Sequence, residues 1–381
     1  MAGTNTLTKL APVLYSAAQE VSNEPFGVVD SIFTQFDNKG VAKGDKVKVP
    51  VAPTRSGDDF TPSNATPTGA GATADAVEVE ITKSRKVNWN LTGEQQRSLE
   101  NGGINQEWIR QLVAQGMRTL RNEAEADAVK AVHYGASRAV GTAGTTPFAS
   151  DLSGLVAVRK VLRDNGAPMA DLQFVCDSAS EVNLLNLGII QQAYAAGSDA
   201  ERRQGRIARQ FGFRIGQSAG ITEHDSGEAS SYLVDQADLA IGDTSITIDT
   251  GSEKIEIGDV FDVGGGNKYV VQDVDTEAQT SVRLLTVGRP GVRTAYSDNT
   301  AITFTGDFTP NLAFERNAIV GIMRPPIIPA NPTINQMVIS DGMGMSYLLL
   351  DIAQYGQRTW ELHLAWGFKA VQPEHIALLM G

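Results

Sequence analysis

Two stretches near the start of the chain alternate apolar and charged residues with the period of a half-exposed strand: residues 45–51 (Asp-Lys-Val-Lys-Val-Pro-Val) and 76–82 (Ala-Val-Glu-Val-Glu-Ile-Thr). They predict the two legs of one hairpin. Between them, Ala52 to Asp75 carries Pro53, Pro62 and Pro67, several glycines and a single large apolar side chain, Phe60. Such a tip cannot build a core of its own. It reads either as an ordered loop resting on a neighbouring molecule, which the strand legs favour, or as a disordered linker. Upstream, Leu10 to Val21 and Val28 to Phe36 are short amphipathic pieces broken by Pro12 and Pro25, with no obvious partner strands, so residues 1–44 read as an arm.

Downstream the period changes. Thr92-Gly93-Glu94-Gln95 has the form of a capping box and opens a short helix that Asn101-Gly102-Gly103 stops. From Ile104 to about Tyr134 apolar residues recur at Ile104, Trp108, Leu112, Met117, Leu120, Ala124, Ala128 and Ala131, one stripe at helical spacing. At about 1.5 Å per residue this helix spans roughly 45 Å, a spine rather than a cap on a small sheet.

Residues 152–163 form another amphipathic helix, ended by Asn165-Gly166-Ala167-Pro168, and a strand at 172–176 and a helix from about Ser178 to Ile190 follow. Then come short β-prone runs separated by glycine turns: Ser245 to Ile248, Val260 to Val263, Tyr269 to Val274, Val282 to Val287 and Ala301 to Phe304. These predict a small antiparallel barrel or sandwich with a core of its own. Long strand-like runs resume at Leu312 to Met323 and from Gln336 to the end. The expected organisation is α+β: an arm (1–44), a hairpin (45–91), a unit on the long helix (92–149, continued near 312–330), a mixed unit (150–222 with 331–381) and an inserted β module (223–310).

Charge sharpens this division. Residues 221–310 hold 16 acidic against 5 basic side chains, so nearly all of the formal net charge of -12 lies in the β module. No part is basic enough for the phosphate-neutralising surface of a sequence-reading nucleic-acid protein. The polar stretch Met1 to Leu10 and the lack of any run of 18 apolar residues predict neither a signal peptide nor a membrane span. The single cysteine, Cys176, lies in the apolar run Leu172 to Cys176 and reads as a buried structural thiol, with folding expected in a reducing cytosol.

A search for chemistry assigns no catalytic, cofactor-binding or metal-ligating residue. His133, His224, His363 and His375 lie far apart in sequence and form no metal-ligand pair. Gly135-Ala136-Ser137-Arg138-Ala139 follows a helix and not the strand-to-helix turn of a nucleophile elbow. Gly40 to Lys46 and Gly264 to Lys268 lack the Gly-Lys-Ser/Thr of a phosphate loop and read as hairpin turns. Asp273 to Glu277 lacks the glycine and closing glutamate of a calcium loop and reads as a solvated face. Arg202, Arg203, Arg206, Arg209 and Arg214 form the one basic cluster, read either as phosphate contacts or as partners for carboxylates of neighbouring subunits.

Several segments together resemble the coat proteins of short-tailed phages, a branch of the tailed-phage major capsid proteins. They are Leu91 to Leu99, Met117 to Leu120, Ala136 to Phe148, Phe211 to Ile215, Asn311 to Ala318 and Trp366 to Glu374. Their order and spacing along nearly the whole chain carry the likeness, since no single piece is a chemical signature. The resemblance implies the Johnson-type capsid fold: N-terminal arm, extended E-loop (45–91), peripheral domain on the spine helix, axial domain, and an inserted β domain shorter than some versions. It implies a non-enzymatic subunit that assembles into pentamers and hexamers of an icosahedral virion shell around double-stranded DNA, built in the host cytoplasm. Implied partners are further copies of the chain, a scaffolding protein, a portal, and head-completion or decoration proteins, with no membrane and no cofactor. An encapsulin-like nanocompartment shell is the alternative within the same fold. A hydrolase bearing a β module and a monomeric surface protein are the readings from other classes.

Overall fold

The computed structural model describes residues 11–22, 27–36, 40–51, 75–101, 105–188, 209–275, 283–329, 334–340 and 345–381. Its axis is the spine helix Asn105–Tyr134, 30 residues long. Ile109, Val113, Met117, Leu120, Ala124, Ala128 and Val132 form its buried stripe. The expected Leu112 is only half-buried because Ile109 and Val113 turn inward instead, and Ile104 lies outside the described residues. Ahead of the spine, Gly93–Asn101 is helical and opens with the predicted capping box. The Thr92 amide donates to Gln95 Oε1 (3.0 Å) and the Gln95 amide to Thr92 Oγ1 (3.4 Å).

A sheet of six strands lies along the spine in the order Phe33–Phe36, Ile319–Arg324, Gln357–Ala370, Ser346–Gln354, Ile334–Ser340, with Lys83–Thr92 on the free side of Gln357–Ala370. Alternation in the 14-residue strand Gln357–Ala370 buries Trp360, Leu362, Leu364 and Trp366 in the same core as the spine stripe. Trp89 pairs opposite Trp360 on Lys83–Thr92. Polar contacts fix the register: Trp366 Nε1 donates to Asp127 Oδ2 (2.8 Å), and Lys83 Nζ reaches Asp127 Oδ1 (2.7 Å).

This sheet corrects the expected grouping of 331–381 with 150–222. Among the described residues, strands Ile334–Ser340, Ser346–Gln354 and Gln357–Ala370 lie in the sheet on the spine with Lys83–Thr92, and Ile376–Met380 joins the other unit. Two further differences concern the arm and the run Leu312 to Met323. Pro12 sits in the first turn of helix Ala11–Ser22, where a missing amide hydrogen costs nothing, so it starts this helix and does not break it. Phe33–Phe36 does have a partner, the parallel strand Ile319–Arg324. Leu312 to Met323 is two strands, Pro310–Glu315 and Ile319–Arg324, separated by the one-turn helix Arg316–Ala318 and lying in different sheets.

The second unit is a mixed sheet ordered Arg138–Gly141, Ile376–Met380, Pro310–Glu315, Leu172–Cys176, Phe213–Gln217. One face shares the spine core through Val175, Leu312, Phe314, Ile376, Leu378 and Met380. The other packs Phe174, Cys176, Phe213, Ala313, Ala377 and Leu379 under helix Ser153–Asp164. Leu172–Cys176, Pro310–Glu315 and Ile376–Met380, the central strands, are buried on both faces and read as mostly apolar runs. Helix Ser178–Asn186 starts at Asp177, whose carboxylate accepts from the amides of Ala179 (2.9 Å) and Ser180 (3.1 Å).

The acidic segment forms a closed antiparallel ring: Val260–Asp262, Ala301–Phe304, Tyr232–Val234, Ser245–Asp249, Arg283–Val287, Lys268–Val274 and back to Val260–Asp262. Tyr232, Val234, Ile246, Ile248, Phe261, Tyr269, Val271, Leu285 and Ile302 fill it, a core separate from the others. Closure removes the sheet edges. The predicted turn Gly264-Gly265-Gly266 joins two of its strands with φ of 93°, 92° and 77°, a left-handed run that only glycine adopts without strain.

Candidate assembly surfaces

The hairpin legs are strands Lys46–Val51 and Asp75–Glu80, in register from Lys46 opposite Glu80 to Val51 opposite Asp75. Among the described residues they form a two-stranded ribbon that pairs with no third strand, touched at Glu78 O by Lys369 Nζ (3.1 Å). Alternation puts Val47, Val49, Val51, Val77 and Val79 on one face. Val79 is fully buried at the root with Ile81, Val320, Ile322 and Ala365, whereas Val47, Val49, Val51 and Val77 are only half-buried. On the opposite face Lys46 reaches Glu78 at 3.2 Å and holds its carboxyl below the usual range. A two-stranded ribbon is marginal by itself in water. The half-covered valines are therefore surface in need of a cover. The tip, residues 52–74, lies outside the described residues.

The arm is held to the spine by two charged side chains one helical turn apart. Arg121, fully buried, donates through Nη1 to Val21 O (2.5 Å) near the C-terminus of helix Ala11–Ser22. Glu125, 5% exposed, accepts from the amides of Val28 (2.7 Å) and Val29 (2.9 Å), which open helix Val28–Ser31, and from Ser218 Oγ (2.7 Å). A cation at a helix C-terminus and an anion at an N-terminus match the dipole of each. The described arm segments Ala11–Ser22 and 27–36 are thus seated on their own subunit.

The barrel is fastened at several points. Lys268 and Tyr269 pair with Ala139 and Arg138, joining it to the mixed sheet. Gln272 Nε2 donates to the carbonyls of Gly135 (2.9 Å) and Ala136 (3.2 Å) at the end of the spine helix. The segments leading in and out are adjacent, His224 N donating to Phe308 O (2.8 Å).

The four histidines do not form a catalytic or metal cluster, but two meet. His133 and His224, 91 residues apart in sequence, stack edge to face with ring centroids 4.8 Å apart. His363 lies 3.0 Å from Glu361 Oε2, and His375 contacts Gln372 Oε1 at 2.9 Å. Among the described residues no group of three or more His, Cys, Asp or Glu could hold a metal ion, and no helix is long and apolar enough to cross a membrane. Cys176 is buried as expected, and burial pushes its thiol up to about 12. Of the basic cluster, Arg202, Arg203 and Arg206 lie outside the described residues. Arg209 stands 3.9 Å from Asp171, and Arg214 is exposed on Phe213–Gln217.

No protein-family model and no curated protein matches the chain. Solved structures similar to it include one from Mycobacterium phage Che8, at 12% identity and a TM-score of 0.47, with 88% of this chain and 85% of that chain covered. The capsid structure of the cyanophage P-SCSP1u is similar at 9% identity and a TM-score of 0.45, covering 93% and 88% of the two chains. A virus-like particle from Pyrococcus furiosus is similar at 8% identity and a TM-score of 0.45, covering 97% and 98%.

Proposed function

We propose that this chain is a shell-forming subunit, the major capsid protein of a tailed phage, whose copies close into pentamers and hexamers around double-stranded DNA. The observation that carries the reading is the valine-faced ribbon Lys46–Val51 and Asp75–Glu80, whose Val47, Val49, Val51 and Val77 are only half-covered by the described residues. A neighbouring copy supplies the missing cover. The same contact repeated head to tail is heterologous, and a heterologous contact that closes generates rings. Modest interfaces of about 1,000–2,000 Å² then act together, because each subunit engages several neighbours at once.

The remaining parts fit that role. The spine helix and its sheet form one long layer, the mixed sheet a second one whose central strands are buried on both faces, and the barrel an appendage fastened at the end of the spine and to the mixed sheet. In this reading the ribbon and its tip are the E-loop, the spine unit is the peripheral domain, now including 334–370, and the mixed sheet is the axial domain. The barrel is an inserted domain, and its acidity fits an outward position, away from packaged DNA. The subunit carries out no reaction. Scaffolding, portal and decoration proteins are its expected partners, and assembly takes place in the host cytoplasm.

Deleting Pro53 to Ala74 and joining the legs by a short turn tests this. In sedimentation velocity the intact chain runs as large closed particles, whereas the deletion variant keeps the native circular dichroism spectrum and runs as a small species. A deletion variant that still forms normal particles removes the ribbon from the assembly role. Packaged nucleic acid distinguishes a phage shell from an encapsulin-like one, which would hold protein cargo.

A further inference from the structure

His133 and His224 meet where the spine helix, the strand leading into the barrel and the barrel itself come together. His133, 4% exposed, ends the spine and contacts Gly258 O through Nε2 at 3.0 Å, the carbonyl accepting. His224 lies in the linker, its Nε2 2.9 Å from Asp259 Oδ1. Asp259 is 1% exposed and its other oxygen accepts from the Glu256 amide (2.8 Å). Phe308, on the segment leaving the barrel, packs its ring against both imidazoles, with centroids 5.7 Å and 5.3 Å away. The joint borders a cleft of about 490 Å³.

We propose that this joint is a proton-operated latch: neutral His133 lets the barrel close on the end of the spine helix, and a proton on His133 opens it. The geometry gives the reason. A charged His133 stands 4.8 Å, ring to ring, from His224 in a site shielded from water, where the nearby Asp259 carboxylate is already engaged by His224 and the Glu256 amide. Burial, reinforced by His224, holds His133 down to about 3. The other charged and titratable groups around the cleft sit near its rim. They are Lys130 and Tyr134 from the spine, Glu223 and Asp225 from the linker, and Glu256 from the barrel. Asp307, on the segment leaving the barrel, is held below its usual range mainly by hydrogen bonds from Ser226, with a smaller contribution from His224. Opening lets the His133 charge reach water through the cleft, while Gln272 and the seam at Lys268 and Tyr269 keep the barrel attached. The latch is a property of the single subunit and does not rest on the shell-forming reading.

Hydroxyl-radical footprinting of the full chain between pH 8 and pH 4.5 tests it. Phe308, 1% exposed, reports the joint, and Phe314, 0% exposed in the mixed sheet, reports general unfolding. With His133 at about 3 when closed and at its ordinary 6.5 when open, the opening equilibrium shifts by about a hundredfold at pH 4.5 relative to pH 8, and Phe308 oxidation rises with it. Phe314 stays protected, and His133→Gln, which keeps an amide donor for Gly258 O without titrating, flattens the Phe308 profile. Three outcomes overturn the latch: no rise in the wild type, a rise of equal size in His133→Gln, or Phe308 and Phe314 becoming exposed together. Should His133→Gln fail to fold, His224→Gln takes its place. Removing the imidazole that reinforces burial should then reduce the rise, and an undiminished rise refutes the proposal.

Discussion

Replacing Glu125 by alanine removes the acceptor for two backbone amides and one hydroxyl in a site that is itself 5% exposed. A buried donor left without a partner costs about 1–3 kcal/mol. Water entering the vacated space satisfies part of the deficit, so the net loss is about 2–5 kcal/mol. That loss falls first on the segment Gly27 to Phe36. Arg121 still holds Val21 O, so helix Ala11–Ser22 keeps one anchor. Urea unfolding followed by circular dichroism measures the global loss, and amide hydrogen exchange locates it. The alanine variant should show earlier unfolding, together with exchange at Val28 and Val29 at least tenfold faster than wild type. Glu125→Gln keeps an acceptor oxygen and should lose roughly half as much. Ser218→Ala alone should cost about 1 kcal/mol and be less than additive with Glu125→Ala, since both remove one contact. Wild-type stability and unchanged exchange at Val28 and Val29 in the alanine variant would refute the anchor.

Asp351 and Arg358 form a bidentate pair across a strand turn, with Asp351 2% exposed and Arg358 5.4 Å over the Trp360 ring. Arg358→Leu strands a buried carboxylate and should cost about 3–5 kcal/mol in urea unfolding, while the double replacement by leucine recovers most of it. The Cys176 thiol, held up at about 12 and buried, should resist a neutral thiol reagent at pH 8 in the folded protein and react at the rate of unfolding. His133 gives stability a pH slope. Its folded value of about 3 lies below its ordinary 6.5, so the folded state binds fewer protons between those limits. Its contribution is complete above pH 6.5 and lost as pH falls toward 3, by up to about 1.4 kcal/mol per pH unit. His133→Gln should lose that part of the slope in denaturant titrations across pH 4.5–8. Excising 225–308 and joining His224, which pairs with Phe308, to Thr309 should leave a folded subunit with a frayed spine, since Gln272 no longer caps Gly135 and Ala136. Hydrogen exchange at 130–136 reads this directly.

Periodicity made local elements legible. The hairpin legs, the capping box at Thr92 and Gln95 and the spine each repeat a signal within a few residues, and so do five of the six barrel strands. Tyr232–Val234 escaped because three residues hold too little period to read. Placement was harder to read than existence. The long strand Gln357–Ala370 pairs with Lys83–Thr92 across more than two hundred and fifty residues, and apolar alternation says nothing about which partner a strand takes. The turn at Arg316–Ala318 sends one apolar run into two sheets, and its cue is the single Glu315 side chain accepting from the Asn317 amide (3.0 Å). Glu125 and the histidine pair were invisible for the same reason. Glu125 stands in the spine sequence like any surface glutamate, and His133 and His224 acquire a relation only when the barrel folds back onto the helix.

Negative-stain electron microscopy of the purified chain, expressed alone and together with a scaffolding protein supplied in trans, tests the shell-forming role. The account predicts closed shells tens of nanometres across, or rings of five and six subunits. Single dispersed subunits under both conditions would contradict it, and would leave the valine face of the ribbon without the neighbour on which the argument depends.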